Sequence, residues 1–199
     1  VLDPARQVVD DAVRGLGGLD VLVLNAGRQQ AQKSIADITS DAFDATMKTN
    51  IYAPFWMAQQ ALPHLKKGAS IIVTSSINAY SPSPDMVDYA MTKGAGKVFA
   101  QALAKQVASK GIRVNAVAPG PFWTPLQPSG GQPPEKITSF GEGSPFGRPG
   151  QPAEVAPTYV LLASQESSFV TGEVLTVDGG GKLWGELWTA GRPDYYKLG

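Results

Sequence analysis

Tyr89 and Lys93 stand four positions apart in DYAMTKGAG, residues 88–96. On a helix this spacing puts both side chains on one face, a turn apart, so that an ammonium could act on a phenol's proton. A free phenol titrates near ~10, too high for a base at neutral pH, and a nearby cation favours its ionised form. The pair alone does not establish chemistry, because a half-buried tyrosine beside a solvated lysine is an ordinary arrangement. A third polar group shifts the balance. Ser75 and Ser76 precede the pair in SSINAY, residues 75–80. A serine there could donate to an oxygen on which charge develops, or simply cap a helix. Asn50, in MKTN, could bend its own helix by bonding backbone groups.

These residues need a scaffold to bring them together. LDVLVLNAG, ASIIVTSS, IRVNAVAPG and EVLTVDGG are short apolar runs closed by turn signals, the pattern of strands covered on both faces. Between them lie helical patterns. Asp3 and Pro4 open the first, Gly17 and Gly18 close it, and a second runs from about Ser40 to Leu62. A third carries Val87, Ala90, Met91, Val98, Phe99, Ala102 and Leu103 as its apolar stripe and ends near Gly111. A fourth passes through VAPTYVLLAS, where Pro157 is expected to kink or delay it. Strands alternating with helices predict an α/β fold, a three-layer doubly wound parallel sheet within a single domain over 1–199. Ligands of such sheets bind beyond the carboxyl ends of the strands, here NAG at 25–27, SSINAY at 75–80 and PGPFWT at 119–124. The Gly- and Pro-rich residues 119–152 are expected to form a substrate-covering loop with a short helix, in which Phe122, Leu126, Ile137 and Phe140 make a pocket. The tail, 182–199, carries Trp184 and Trp188 and is expected to dock on a neighbouring surface or subunit.

Composition narrows the partners. The 199 residues hold 17 basic and 17 acidic side chains, which leaves no electrostatic case for a nucleic acid or a membrane surface. A small molecule is the expected ligand. With no cysteine, thiolate chemistry and disulfides are excluded, and a cytoplasmic location is expected. No apolar run approaches the roughly 18 residues of a membrane helix. The opening VLDPARQVVDD lacks the features of a signal peptide and reads as the inside of a domain.

Taken together, NAG after a strand, Asn50 in MKTN, Ser76 thirteen positions before Tyr89, Lys93 four after it, PGPFWT and VTGEVLTVDGG resemble the classical short-chain dehydrogenases/reductases. The likeness covers nearly the whole chain and extends to a bacterial branch described as aldehyde reductase-like or glucose dehydrogenase-like. It implies a Rossmann-like fold and an NAD- or NADP-dependent oxidoreductase that interconverts an alcohol and a carbonyl. By the same resemblance, Tyr89 is the acid/base, Ser76 hydrogen-bonds the substrate oxygen, Lys93 bonds the nicotinamide ribose, and Asn50 holds a relay water. Asn25, Ala26 and Gly27 would line the cofactor cleft with Tyr89 and Lys93, while Pro119, Gly120 and Thr124 would meet the carboxamide or pyrophosphate side. The family commonly forms tetramers. A related enoyl reductase needs a wider Tyr-to-Lys spacing, and a dehalogenase variant does without the lysine.

One departure stands out. No G-x-G-x-x-G spacing occurs: Gly15 and Gly17 are followed by Asp20, and Gly141 and Gly143 by Phe146, where the third glycine belongs. GAGK at 94–97 is followed by Val98 and fails as a phosphate loop. Against the family pattern the sequence opens just after the third strand, so the N-terminal strands are expected to be missing. The strand at Val21–Leu24 should then be an exposed apolar edge that something must cover. The acid or arginine that separates NAD from NADP follows the second strand of the pattern and is not in this sequence. A rival expectation is a binding or structural subunit that keeps the fold without cofactor binding.

Overall fold

The computed structural model describes residues 4–181. The Asp3 cap and the 182–199 tail with Trp184 and Trp188 lie outside the described residues. α1 spans Pro4–Leu16 and ends where Gly17, at φ 77°, turns its N–H back onto the Val13 carbonyl at 3.0 Å. That left-handed conformation is open to glycine at little steric cost. β1 follows at Val21–Leu24, then α2 at Ser40–Met47 and α3 at Ala53–Ala61, joined by a π turn over Lys48–Tyr52. Thr39 caps α2 by accepting from the Ala42 N–H at 3.2 Å. β2 is Ser70–Thr74, α4 is Val87–Val107, and β3 is Arg113–Pro119. Two short helices, α5 at Leu126–Ser129 and α6 at Pro134–Thr138, precede α7 at Pro152–Ala163 and β4 at Val174–Val177.

The strands lie in the order β1-β2-β3-β4, all parallel, with Val21 opposite Ser70, Ser70 opposite Arg113, and Ala116 opposite Val174. One face of the sheet packs on α1, α3 and α4 through Val9, Leu22, Ala58, Ile71, Leu103 and Val114. The other meets α7 through Ile72, Val117 and Leu162. Ile71, Ile72, Val114, Val117 and Leu162 have no exposed surface, and each such side chain contributes on the order of 2 kcal/mol by burial. The α/β class and the helix–sheet–helix layering are as the sequence predicts.

Three details differ from expectation. β1 is not covered on both faces: Leu22 and Leu24 are buried, whereas Val21 and Val23 are 38% and 42% exposed. The reason is that α7 packs over β2 and β3, not over β1, whose free edge is the one the sequence predicts. α7 runs through Pro157 without a break. The carbonyl that loses its partner there belongs to exposed Ala153, and the start of the helix is held by a capping box between Gln151 and Glu154. Finally, the apolar stripe of α4 is largely outward. Val87, Met91 and Val98 are exposed, while Asp88, Tyr89, Thr92 and Lys93 are buried.

Candidate active site

The polar residues buried on α4 face the carboxyl end of β2. Ser76 leaves that strand in an extended conformation and accepts from the Asn78 N–H at 3.1 Å, so it caps the 3-10 turn Ile77–Ala79. Tyr89 and Lys93 are each 7% exposed. Burial raises the phenol above its ordinary range, and the bond to Ser76 draws it part of the way back. Burial also lowers the Lys93 ammonium to about 8. Lys93 Nζ lies 5.5 Å from the Tyr89 ring centroid and donates to the Thr74 carbonyl at 2.8 Å. Its ammonium is thus turned onto the end of β2.

Asn50 sits in the π turn, where an extra residue per turn re-aims its side chain. Its Oδ1 accepts from the Arg28 N–H at 2.8 Å, and its Nδ2 donates to the Arg28 carbonyl at 2.8 Å and to Thr92 Oγ1 at 2.9 Å. Thr92 in turn donates to the Tyr89 carbonyl at 2.7 Å. Asn50 thus clamps the loop after β1 to the helix carrying Tyr89 and Lys93. A side chain at Gly27 would come within 3.4 Å of Lys93 Nζ and 3.9 Å of Asn50 Oδ1, so glycine keeps a notch open between them. Asn25 accepts from Thr74 Oγ1 at 3.0 Å, and Ala26 lines a cavity of about 90 Å³ with Asn50, Thr74 and Lys93.

The third strand end is more loosely tied to this group. Pro119 ends β3, and the Gly120 N–H bonds the Val177 carbonyl at 2.8 Å. A Cβ on Gly120 would fall 2.6 Å from that of Asp178, so packing against the β4 turn already requires this glycine. The Thr124 carbonyl accepts from the Gln127 N–H at 3.1 Å, at the entrance to α5. Ser76, Tyr89, Lys93, Asn50 and Gly27 are brought together; Pro119, Gly120 and Thr124 flank them without a hydrogen bond to Tyr89 or Lys93 among the described residues.

Residues 119–152 carry α5 and α6 and are tethered beside this rim. Lys136 pairs with Asp85 at 2.6 Å, and the Ala31 N–H bonds the Gly130 carbonyl at 2.8 Å. A cavity of about 220 Å³ there is lined by Ser83, Asp85, Gln127, Lys136, Ile137 and Phe140. Of the four expected walls Phe122 and Leu126 are missing: Phe122 is buried against Gly150, where an added Cβ would lie 2.5 Å from its ring. Trp123 packs on Phe140 at 5.8 Å between ring centroids. Sequence reasoning missed Thr92 and Asn78. Their positions, one before Lys93 and two after Ser76, were the only signal available.

The family model described as enoyl-(acyl carrier protein) reductase matches residues 3–182. The chain is 59% identical over 179 residues to the uncharacterized oxidoreductase YghA of Escherichia coli strain K12, covering 90% of this chain and 61% of the relative. The chain thus spans about three fifths of the length of the curated relatives it matches. Among solved structures, the short-chain dehydrogenase/reductase glucose/ribitol dehydrogenase from Brucella melitensis superposes with a TM-score of 0.76 at 34% identity, covering 88% of this chain and 69% of that one. The 3-ketoacyl-(acyl-carrier-protein) reductase from Brucella melitensis, complexed with NADH, gives a TM-score of 0.80 at 29% identity, covering 89% and 73%. Because the match runs from α1 past β4 and takes in every strand end that bears on Tyr89, the chain belongs to the short-chain dehydrogenase/reductase family.

Proposed function

We propose that this chain carries the catalytic part of an NAD- or NADP-dependent oxidoreductase that interconverts an alcohol and a carbonyl. The observation that carries the reading is the buried Tyr89 phenol beside Ser76, with Lys93 one turn along the same helix. In this reading Tyr89 gives a proton to a carbonyl oxygen, or takes one from an alcohol, while Ser76 donates a hydrogen bond to the same oxygen. The bound nicotinamide supplies or accepts the hydride. Lys93 holds the ribose hydroxyls and places positive charge beside the phenol. The Asn50–Lys93 cavity accommodates a relay water.

The residues present fit the nicotinamide end of such a cofactor. Gly27 leaves the notch beside Lys93 that a ribose would enter, with Asn25 beside it and Ala26 on the adjoining cavity wall, and Pro119, Gly120 and Thr124 are proposed to meet the cofactor from the end of β3. NADH bound to the Brucella ketoacyl reductase supports this cofactor class. No Gly-rich pyrophosphate turn occurs within the 199 residues. Residues 119–152 are proposed to cover a small alcohol or carbonyl compound. A cytoplasmic location is part of the proposal. So is a homotetramer, supported by two separate apolar faces, Val87, Met91 and Val98 on α4 and Val160, Leu161 and Phe169 around α7.

Titration with NADH and NADPH, followed by fluorescence and by turnover of an aldehyde and polyol panel, tests the reading. Saturable binding with turnover that Tyr89→Phe abolishes is expected. The rival reading, a binding subunit without catalysis, requires a folded protein that neither binds cofactor nor turns over. Sedimentation tests the tetramer.

A further inference from the structure

Lys93 is held at both ends by consecutive residues. Its ammonium donates to the Thr74 carbonyl at 2.8 Å, and its own main-chain carbonyl accepts from Ser75 Oγ at 2.8 Å. A carbonyl can only accept, so the direction of the second bond is fixed and takes up the single Ser75 proton. Ser75 is 1% exposed, and its N–H is tied to the Val117 carbonyl of β3 at 2.8 Å. The hydroxyl is thus a fixed point at the end of the sheet. Lys93 lies well inside α4, where its carbonyl also serves the helix ladder, and two lone pairs accommodate both donors. Removing the hydroxyl therefore leaves no buried carbonyl without a partner. Just beyond Lys93 the helix carries Gly94 and Gly96; a Cβ at the first would meet nothing within 4 Å, and one at the second would meet Val73 Cγ1 at 3.6 Å. Neither position supplies an interlocking side chain to set the height of this turn, which gives the Ser75 bond its leverage.

We propose that Ser75 is a positioning residue: by bonding the Lys93 carbonyl it fixes this turn of α4 against the end of β2 and so holds the lysine head beside the Gly27 notch. Its bearing on turnover rests on the function proposed above, but its hold on Lys93 does not. With the main chain fixed by Ser75 and the head fixed by Thr74, the four-carbon stem is left few rotamers. The ammonium then stays where a Cβ at Gly27 would come within 3.4 Å of it. Without the hydroxyl the main-chain end is free to shift, and the head gains access to water.

The test follows Lys93 by 13C NMR of ε-labelled lysine as a function of pH, with Lys93→Met assigning the signal. Ser75→Ala is expected to move the Lys93 titration upward, from about 8 toward 10.5, by about one pH unit, because the ammonium regains water. Should that variant not fold, Ser75→Cys, close in volume and a weak donor, carries the same comparison with a smaller shift of the same sign. Tyr89 also neighbours Lys93, its ring centroid 5.5 Å from Nζ, so the measurement is repeated in a Tyr89→Phe background, where the shift should persist. A shift that disappears there comes from the phenol and overturns the proposal. So does a Ser75→Ala protein that melts far below the parent with the Lys93 titration unmoved, since that marks a serine serving the fold alone. In the active enzyme KM for the cofactor should rise about fivefold or more, as the ribose meets a displaced lysine. If the titration moves as expected and KM does not, the positioning stands and the role of Lys93 toward the ribose falls.

Discussion

Two buried cations sit at opposite ends of the sheet, and they are treated differently. At the base of β3, Arg113 donates to the Leu162 carbonyl at 2.8 Å, to Ser167 Oγ at 2.7 Å and to the Ser164 carbonyl at 3.0 Å. It closes the C-terminal end of α7, where helix carbonyls have no partners of their own. At the rim, the one hydrogen bond of the Lys93 ammonium among the described residues is to the Thr74 carbonyl, and burial lowers it to about 8. A guanidinium with its donors engaged is a structural fastening. An ammonium held with most of its bonding capacity open, beside a buried phenol, is costly to the fold and available to a ligand.

The largest expected effect lies at the rim and spares stability. Tyr89→Phe should lower turnover by a factor of about a thousand or more, near 4 kcal/mol at ~1.36 kcal/mol per decade, with an unchanged melting temperature. Steady-state rates within tenfold of the parent would detach the rim from the chemistry. At the base, Arg113→Met leaves two carbonyls and a hydroxyl facing an apolar chain, and should cost about 3 kcal/mol in urea unfolding without altering the pH dependence of the rate.

Lys93→Met should have the opposite sign, gaining about 2 kcal/mol at pH 7 after loss of the Thr74 bond, while turnover is lost. The pH dependence follows from a folded value of about 8 against 10.5. Between these values the unfolded chain holds a proton that the folded chain releases, so parent stability rises with pH across this window. That contribution is complete above about 10.5 and is lost as pH falls through about 8. Denaturation curves at pH 7 and pH 10 should show the methionine variant's advantage shrinking; an advantage that grows would contradict the assignment. The smallest effect should come from Thr92→Val, about 1 kcal/mol, since it cuts the bracket between Asn50 and the Tyr89 carbonyl but leaves both bonds from Asn50 to Arg28.

The base was easier to read from sequence than the rim. Four apolar runs sufficed to find the parallel strands, although one of them, β1, is covered on a single face. Tyr89, Lys93 and Ser76 were legible from spacing, given that the strand end and the helix start must be neighbours. The orientation of α4 was not. Its apolar stripe has the right period, but periodicity does not say which face is inward, and here Asp88, Thr92 and Lys93 take that face. Pro157 misled because the rule against interior proline assumes a buried, partnerless carbonyl, whereas Ala153 is exposed.

The π turn at Lys48–Tyr52 has a consequence for insertions and deletions. One surplus residue is absorbed there, so shortening residues 48–52 by one would restore an unbroken α-helix with α2 and α3 still in phase, while Asn50 would lose the aim that reaches Arg28. The extra residue therefore serves the clamp and not the seat of α3, and its deletion should cost the bonds of Asn50 before it costs the helix.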